Sequence, residues 1–183
     1  MFSQDSEPAV LKRDVSVIVV PAGMEIELRQ GALVYITQAM GGCFTIYHEG
    51  NLFRVAGTDA DALGKEPMEP PVLPQNASDE EFEEIIWDQL KTVFDPEIPV
   101  NIVDLGLIYG FDTDKSGDGQ RNITVHMTLT AAGCGMGEIL VEDVREKVAI
   151  IPTVDSAEVE LTFDPPWSRE MMSENALLEL GMM

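Results

Sequence analysis

The sequence predicts an α/β protein of the α+β kind: a small β-rich amino-terminal module, then a compact helix–strand–strand–helix–strand–helix domain. Three observations lead there. Between residues 14 and 56, short apolar stretches recur between turn residues at spacings of about 8–12, as in small antiparallel sheets. Pro67, Pro70, Pro71 and Pro74 then fall in a stretch without apolar periodicity, which suits an extended, semi-stiff linker. From Ser78 onward, helical and strand periods alternate. The expected organisation is a β-rich module over residues 1–64, a proline-rich linker over 65–77 and an α/β domain over 78–183.

The strands of the first module follow in order. Val15–Val20 is an apolar run closed by Pro21 and Gly23. Met24, Ile26 and Leu28 alternate with Glu25, Glu27 and Arg29, the period of a half-buried strand. Gly31 opens Leu33–Thr37, Gly41-Gly42 turns into Phe44–Tyr47, and Glu49-Gly50-Asn51 turns into Leu52–Val55.

The second domain opens on a capping-box pattern, Ser78 with Glu81, and Asp79, Glu80 and Glu81 complement the positive end of a helix dipole. Phe82, Ile85, Ile86, Leu90 and Val93 form its apolar stripe, and Pro96 is expected to stop the helix because Asp95 before it is pushed towards extended geometry. Val103, Leu105, Leu107 and Tyr109 alternate as a strand that runs to the Ser-Gly-Asp-Gly turn at 116–119. In the partner strand Ile123, Val125, Met127 and Leu129 face inward, with Thr124, His126, Thr128 and Thr130 on the other face. A second helix places Leu140, Val144, Val148 and Ile151 on its core side, with Asp143 and Lys147 at i,i+4, and ends at Pro152. Val159, Leu161 and Phe163 point inward from a third strand. Ser168 is read as the cap of a final helix stapled by Trp167 and Met172 and closed by Gly181.

Composition narrows the partners. The 183 residues carry 11 Lys+Arg against 33 Asp+Glu, a net charge of −22. Such a surface repels phosphate backbones and anionic lipid, so neither nucleic acid nor a membrane is an expected partner. No basic-then-apolar leader is visible, and the longest apolar runs fall well short of the ~20 residues that cross a bilayer. A cytoplasmic protein is expected. In that reducing setting its two cysteines, Cys43 and Cys134, are thiols, Cys43 as a small core residue.

Three loops carry the candidate chemistry. Asp95-Pro96-Glu97-Ile98-Pro99 offers two carboxylates, although Asp-Pro pairs are also ordinary turn chemistry. Thr128-Leu129-Thr130 leads to Ala131-Ala132-Gly133-Cys134-Gly135, a thiol in a glycine-rich turn where a helix begins. Unpaired amides and the helix dipole there favour the thiolate, the form that binds metal. Asp164-Pro165-Pro166-Trp167-Ser168 is a stiff turn in which Trp167 packs as a lid. His126 is a candidate base for Cys134, against the plainer reading of a hydrogen-bonded histidine on a polar strand face, and His48 is placed in a turn. The ten methionines fit packing, notably of a carboxy-terminal helix with Met171, Met172, Met182 and Met183, better than copper binding. There is no CxxC, zinc spacing, GxGxxG or P-loop. Iron–sulfur clusters ordinarily take four cysteines, so one well-placed thiol would have to share a cluster with a second subunit, a partner or a small thiol.

The same loops carry a family likeness. DPEIPVNIVDLGLIYG at 95–110, TLTAAGCG at 128–135 and FDPPWSREMMSENALLELGMM at 163–183 resemble the metal–sulfur cluster biosynthesis domain family over about residues 79–183. VPAG at 20–23, TQAMGGCFT at 37–45 and TDADALG at 58–64 are similar to the amino-terminal extension of its SufT-type branch. Where family members often carry proline after the cysteine, this chain has Gly135. The resemblance implies a non-enzymatic accessory role in assembling iron–sulfur clusters or delivering them to client apoproteins. Cys134 is then the functional thiol and a transient metal ligand, Asp95, Glu97, Thr128, Thr130 and Trp167 are supporting loop residues, and no cofactor is permanently bound beyond a transient cluster or iron. The assembly machinery and client apoproteins are the implied partners, with a homodimer as one arrangement. Two alternatives stay open: an interaction subunit of a multicomponent oxygenase, and a thiol-dependent enzyme using Cys134 with His126 or Asp95.

Overall fold

A computed structural model of the chain describes residues 6–95, 98–131 and 137–182. It divides into two compact units, Met1–Glu69 and Pro70–Met183.

The first unit is an antiparallel sheet of β1 (Glu7–Val10), β2 (Val15–Val20), β3 (Glu25–Leu28), β4 (Leu33–Met40), β5 (Cys43–His48) and β6 (Asn51–Val55), in the order β1-β4-β5-β6-β2-β3. Glu49 and Gly50 both adopt positive φ, the backbone a two-residue hairpin demands, and so set His48 opposite Asn51. One sheet face buries Val15, Val17, Val34, Ile36, Ile46, Phe53 and Val55. A 3-10 helix over Gly57–Leu63 completes that core with Ala62 and Leu63. Arg13 holds this helix, donating to Asp59 at 2.7 Å and to both oxygens of Asp61 at 2.7 and 2.8 Å, and its guanidinium keeps the Asp61 carboxyl below the ordinary aspartate range. Cys43 is a buried thiol. Lys65 and Met68 bond back to Ala60 and Gly57, so the first residues of the expected linker fold onto this unit.

Four features here depart from the sequence reading. Neither β1 nor the 3-10 helix is marked by its own periodicity. His48 closes β5, its Nδ1 lying 2.8 Å from the Leu33 carbonyl, instead of standing in a turn. Met24 and Ile26 are exposed and only Leu28 is buried, because β3 is an edge strand that pairs among the described residues with β2 alone.

The second unit contains α1 (Asp79–Leu90), β7 (Ile108–Lys115), β8 (Arg121–Met127), α2 (Gly137–Ala149), β9 (Val154–Leu161) and α3 (Glu174–Glu179). The expected element order holds. β7 and β8 pair antiparallel, and α2 is the crossover that makes β8 and β9 parallel. One face of this sheet and the inner faces of α1 and α2 bury Phe82, Ile86 and Leu90 with Ile123, Val125 and Met127 and with Leu140, Val144 and Val148. The capping box forms in full: Ser78 Oγ accepts from Glu81 N at 3.2 Å, and Glu81 accepts from Ser78 N at 2.8 Å. Arg121 lies 4.1 Å above the Phe82 ring and ties α1 to the sheet.

Several boundaries move. The first helix ends at Leu90, well short of Pro96, because a tightened turn over residues 89–93 redirects the chain and Val93 packs from the loop beyond. The start of the strand expected from Val103 is instead a helical turn over residues 102–106, and β7 begins only at Ile108, from where it runs through Tyr109 to Lys115. Leu161, the last residue of β9, and Phe163 beyond it are exposed, since the inward packing of this strand is carried by Ala157 and Val159. Ser168 caps nothing with its side chain, and Ser173 caps the last helix, its Oγ accepting from Ala176 N at 3.1 Å. Trp167 and Met172, expected as a staple around a Ser168 cap, both pack against the core, while Gly181 does close the helix in the left-handed conformation. Asp143 and Lys147 are both buried, at 3% and 2% exposure, although i,i+4 charge pairs usually lie at the surface.

Candidate functional site

The turn at residues 101–107 is where the three chemistry-bearing loops meet. It is built locally. Asn101 Oδ1 accepts from Asp104 N at 2.9 Å, and Asn101 Nδ2 donates to Asp104 Oδ2 at 2.6 Å. Leu105 N bonds Asn101 O, and Leu107 N bonds Ile102 O, so Ile102 and Leu105 point together into the core. Gly106 ends the turn at φ +75, a conformation that disfavours any side chain.

Each loop is fastened to this turn. The acidic loop leaves α1 and is closed at its neck by a bridge between Phe94 and Asn101 and by Ile102 N donating to Val93 O at 2.9 Å. Within it Asp95 is half-buried, its carbonyl accepting from Ile98 N at 3.3 Å, and Val100 anchors the loop in the core. At the carboxyl end of β8, Thr128 N donates to Leu107 O at 2.8 Å. From the carboxy-terminal segment Trp167 Nε1 donates to Leu105 O at 2.8 Å, Ser173 N to Asp104 O at 2.8 Å, and Tyr109 Oη to Pro165 O at 2.7 Å. Thr162 N, just past β9, donates to Met127 O and draws that segment towards the end of β8. Bonds across 21 positions (Leu107 to Thr128) to 69 positions (Asp104 to Ser173) thus assemble these loops at the carboxyl ends of two parallel strands.

The expected site residues divide as follows. Asp95 and Trp167 stand at this junction, Trp167 half-buried against the core as a lid would be. Thr128 and Thr130 do not share a strand face: β8 ends at Met127, alternation lapses, Thr128 is wholly buried and Thr130 is exposed. The Thr128 hydroxyl has no hydrogen-bond partner among the described residues. A buried hydroxyl left so carries a desolvation cost of about 1–3 kcal/mol, unusual for a residue that valine would replace at equal volume. Glu97 and Cys134 lie outside the described residues. By sequence Cys134 stands three positions before Gly137, where α2 begins. Gly137 is buried against the Leu129 side chain, whose Cδ1 would lie 2.5 Å from a Cβ there, so the start of α2 lies beside the residues that follow β8.

His126 occupies the outer sheet face, with Nε2 2.7 Å from Asp112 Oδ2 and Nδ1 3.3 Å from Glu160 Oε2. That is the hydrogen-bonded histidine of a polar strand face. Among the described residues no three His, Cys, Asp or Glu side chains are grouped to hold a metal ion, and no helix is long and apolar enough to cross a membrane. The joining turn itself escapes the sequence reading, although Asn101, Asp104 and Gly106 mark it.

Residues 83–161 match a family model described as iron–sulfur cluster assembly protein. The chain is 50% identical over 101 residues to an Fe-S protein maturation auxiliary factor of Porphyromonas gingivalis, spanning 55% of this chain and 92% of that protein. It is 42% identical to the Fe-S protein maturation auxiliary factor YitW of Bacillus subtilis, spanning 57% of this chain and 98% of YitW. It is 41% identical to the Fe-S protein maturation auxiliary factor SufT of Staphylococcus aureus, over 49% of this chain and 98% of SufT. These relatives are covered almost end to end by about half of this chain, and two of the loops that converge on the 101–107 turn, those opening at Asp95 and Thr128, begin inside the residues that the family model matches. The chain belongs to the iron–sulfur cluster assembly protein family.

Proposed function

We propose that this protein is a non-enzymatic accessory factor in iron–sulfur protein maturation, which uses the Cys134 thiol as a transient ligand to a cluster or to iron in passage to client apoproteins. The observation that carries this reading is the convergence of the acidic, threonine and tryptophan loops on one turn, at the strand end that leads into the thiol-bearing segment. The names of the relatives, each a maturation auxiliary factor, support it. The chain's other thiol, Cys43, is buried in the first unit, so Cys134 is the sulfur left for cargo. A sulfur close before a helix start is favoured as thiolate by the dipole. One thiol supplies at most one corner of an ordinary four-cysteine ligand set, so the cargo's remaining ligands come from the donor, the client, a small thiol or a second copy of this chain. Weak, shared ligation suits handover. Thr128, whose buried hydroxyl has no partner among the described residues, and the carboxylates of Asp95 and Glu97 are the residues that would support the thiol in this role. The assembly machinery and its cytoplasmic clients are the partners this role requires.

The test replaces the chromosomal copy with Cys134→Ala. Client enzymes that need clusters should lose activity and cluster content to the level of a deletion strain, with the abundance of this protein unchanged. Undiminished client activity at normal abundance overturns the proposal.

A further inference from the structure

The sheet of the second unit ends on a bare strand edge. β9 pairs only with β8, in unbroken parallel register from Ser156 opposite Asn122 to Leu161 opposite Met127. Among the described residues no strand pairs with its other side. Such an edge presents unsatisfied main-chain donors and acceptors, and proteins usually blunt it with proline, lysine, a bulge or short length. The other edges of this molecule show those devices. β1 has four residues and includes Pro8, and β3 has four residues. β7 has a register shift between Ile108 and Gly110 and ends in Lys115. β9 has its own register shift at Asp155, between Val154 and Ser156, but from Ser156 to Leu161 it has none of these devices. The exposed side chains of β9 are Asp155, Ser156, Glu158, Glu160 and Leu161, and the adjoining outer face adds Asp112 and Asp114.

We propose that the free edge of β9 is a docking strand for an extended, lysine- or arginine-bearing segment of another protein, added to the sheet as a fourth strand. Main-chain hydrogen bonds would supply the pairing, as in other strand-addition complexes. Glu158 and Glu160 lie on one face at the two-residue period of a strand, so cationic side chains at alternate positions of the added segment would each meet a carboxylate. Charge selects this occupant. A second copy of β9 would set Asp155, Glu158 and Glu160 against their own kind, on chains of net charge −22 each. A nucleic acid would meet the same repulsion. The proposal is independent of the thiol, and Cys134→Ala should leave it untouched.

The test measures binding of fluorescent short peptides to the full chain by anisotropy, with amide hydrogen exchange as the map. The probes are a peptide alternating lysine with threonine or valine, its glutamate counterpart, and the lysine peptide N-methylated at alternate amides. The lysine peptide should bind and slow exchange over residues 154–161. N-methylation should weaken it by about tenfold or more, since it removes main-chain donors while keeping the charge. Glu158→Lys with Glu160→Lys should weaken the lysine peptide by about tenfold and strengthen the glutamate peptide, and Glu158→Gln with Glu160→Gln gives a milder change in the same direction should the reversal unfold the domain. The proposal is overturned if the N-methylated peptide binds as tightly, which is mere polyelectrolyte attraction. It is equally overturned if protection falls on β1, β3 or β7, or if β9 is protected by self-association instead.

Discussion

Replacing Gly106 by alanine tests whether the 101–107 turn is the fastening point described above. Two costs follow from the structure. Gly106 sits at φ +75, where a Cβ is strained by about 1–2 kcal/mol. That Cβ would also stand 2.7 Å from both the carbonyl carbon and the Cβ of Met171, and backbone cannot yield as a flexible side-chain tip does. The carboxy-terminal segment must therefore shift away, with Ser173 N leaving Asp104 O and Trp167 Nε1 leaving Leu105 O. At about 1 kcal/mol for each bond, the total comes to about 3–4 kcal/mol, a large part of the 5–15 kcal/mol that holds a domain together. Gly119 supplies the control: its φ is +82, yet nothing lies within 4 Å of a Cβ built there, so Gly119→Ala carries the strain alone. Both tryptophans, Trp87 and Trp167, are in the second unit, so urea titration followed by tryptophan fluorescence reports that unit by itself. Gly106→Ala should be less stable than Gly119→Ala by at least ~2 kcal/mol. A difference under ~1 kcal/mol would mean that the carboxy-terminal segment does not clamp the turn.

Ser78→Ala should cost the second unit about 1 kcal/mol in the same titration, because it removes the hydroxyl that accepts from Glu81 N, while the backbone N–H of residue 78 still donates to the Glu81 carboxylate. Thr128→Val should leave stability unchanged or slightly raised, since the hydroxyl has no described partner, while lowering client activation; a stability loss above ~1 kcal/mol would show that the hydroxyl is a satisfied structural group instead. The Asp79 carboxyl is held below its ordinary value chiefly by the hydrogen bond from Lys115, at 2.6 Å. A carboxyl depressed in the folded state contributes stability that is complete above its unfolded pKa and is lost as pH falls through the folded one. Lys115→Met should therefore be less stable than the wild type at neutral pH, and the gap should close in acid below the ordinary aspartate range; a gap that persists there would assign the effect to packing of the lysine stem.

Much of the fold is legible in the sequence because its signals are local. Paired turn residues such as Gly41-Gly42 and Glu49-Gly50 bracket strands, and Ser78 with Glu81 fixes a helix start to the residue. The 101–107 turn is not legible in the sequence, for a physical reason. Over seven residues an alternation such as Val103, Leu105, Leu107 cannot be told from one helical turn in which Ile102 and Leu105 share a face. Extending the alternation of β8 one residue past Met127, where the strand stops, puts Thr128 on the polar face although it is buried. The burial of Asp143 and Lys147 was hidden because the i,i+4 rule gives spacing and not environment. The candidate site was legible only as three separate loops. Their meeting depends on bonds such as Leu105 to Trp167 and Leu107 to Thr128, and no local period encodes contacts across such separations.

The most direct measurement is anaerobic loading of the full chain with iron and sulfide, wild type beside Cys134→Ala, followed by timed transfer to a cluster-free ferredoxin. The wild type should hold sulfide with its iron, show visible absorbance, and pass both to the ferredoxin, while the variant keeps only iron weakly attracted to its acidic surface. Equal sulfide retention and equal transfer by the two proteins would contradict the claim that this thiol is where the cargo is held.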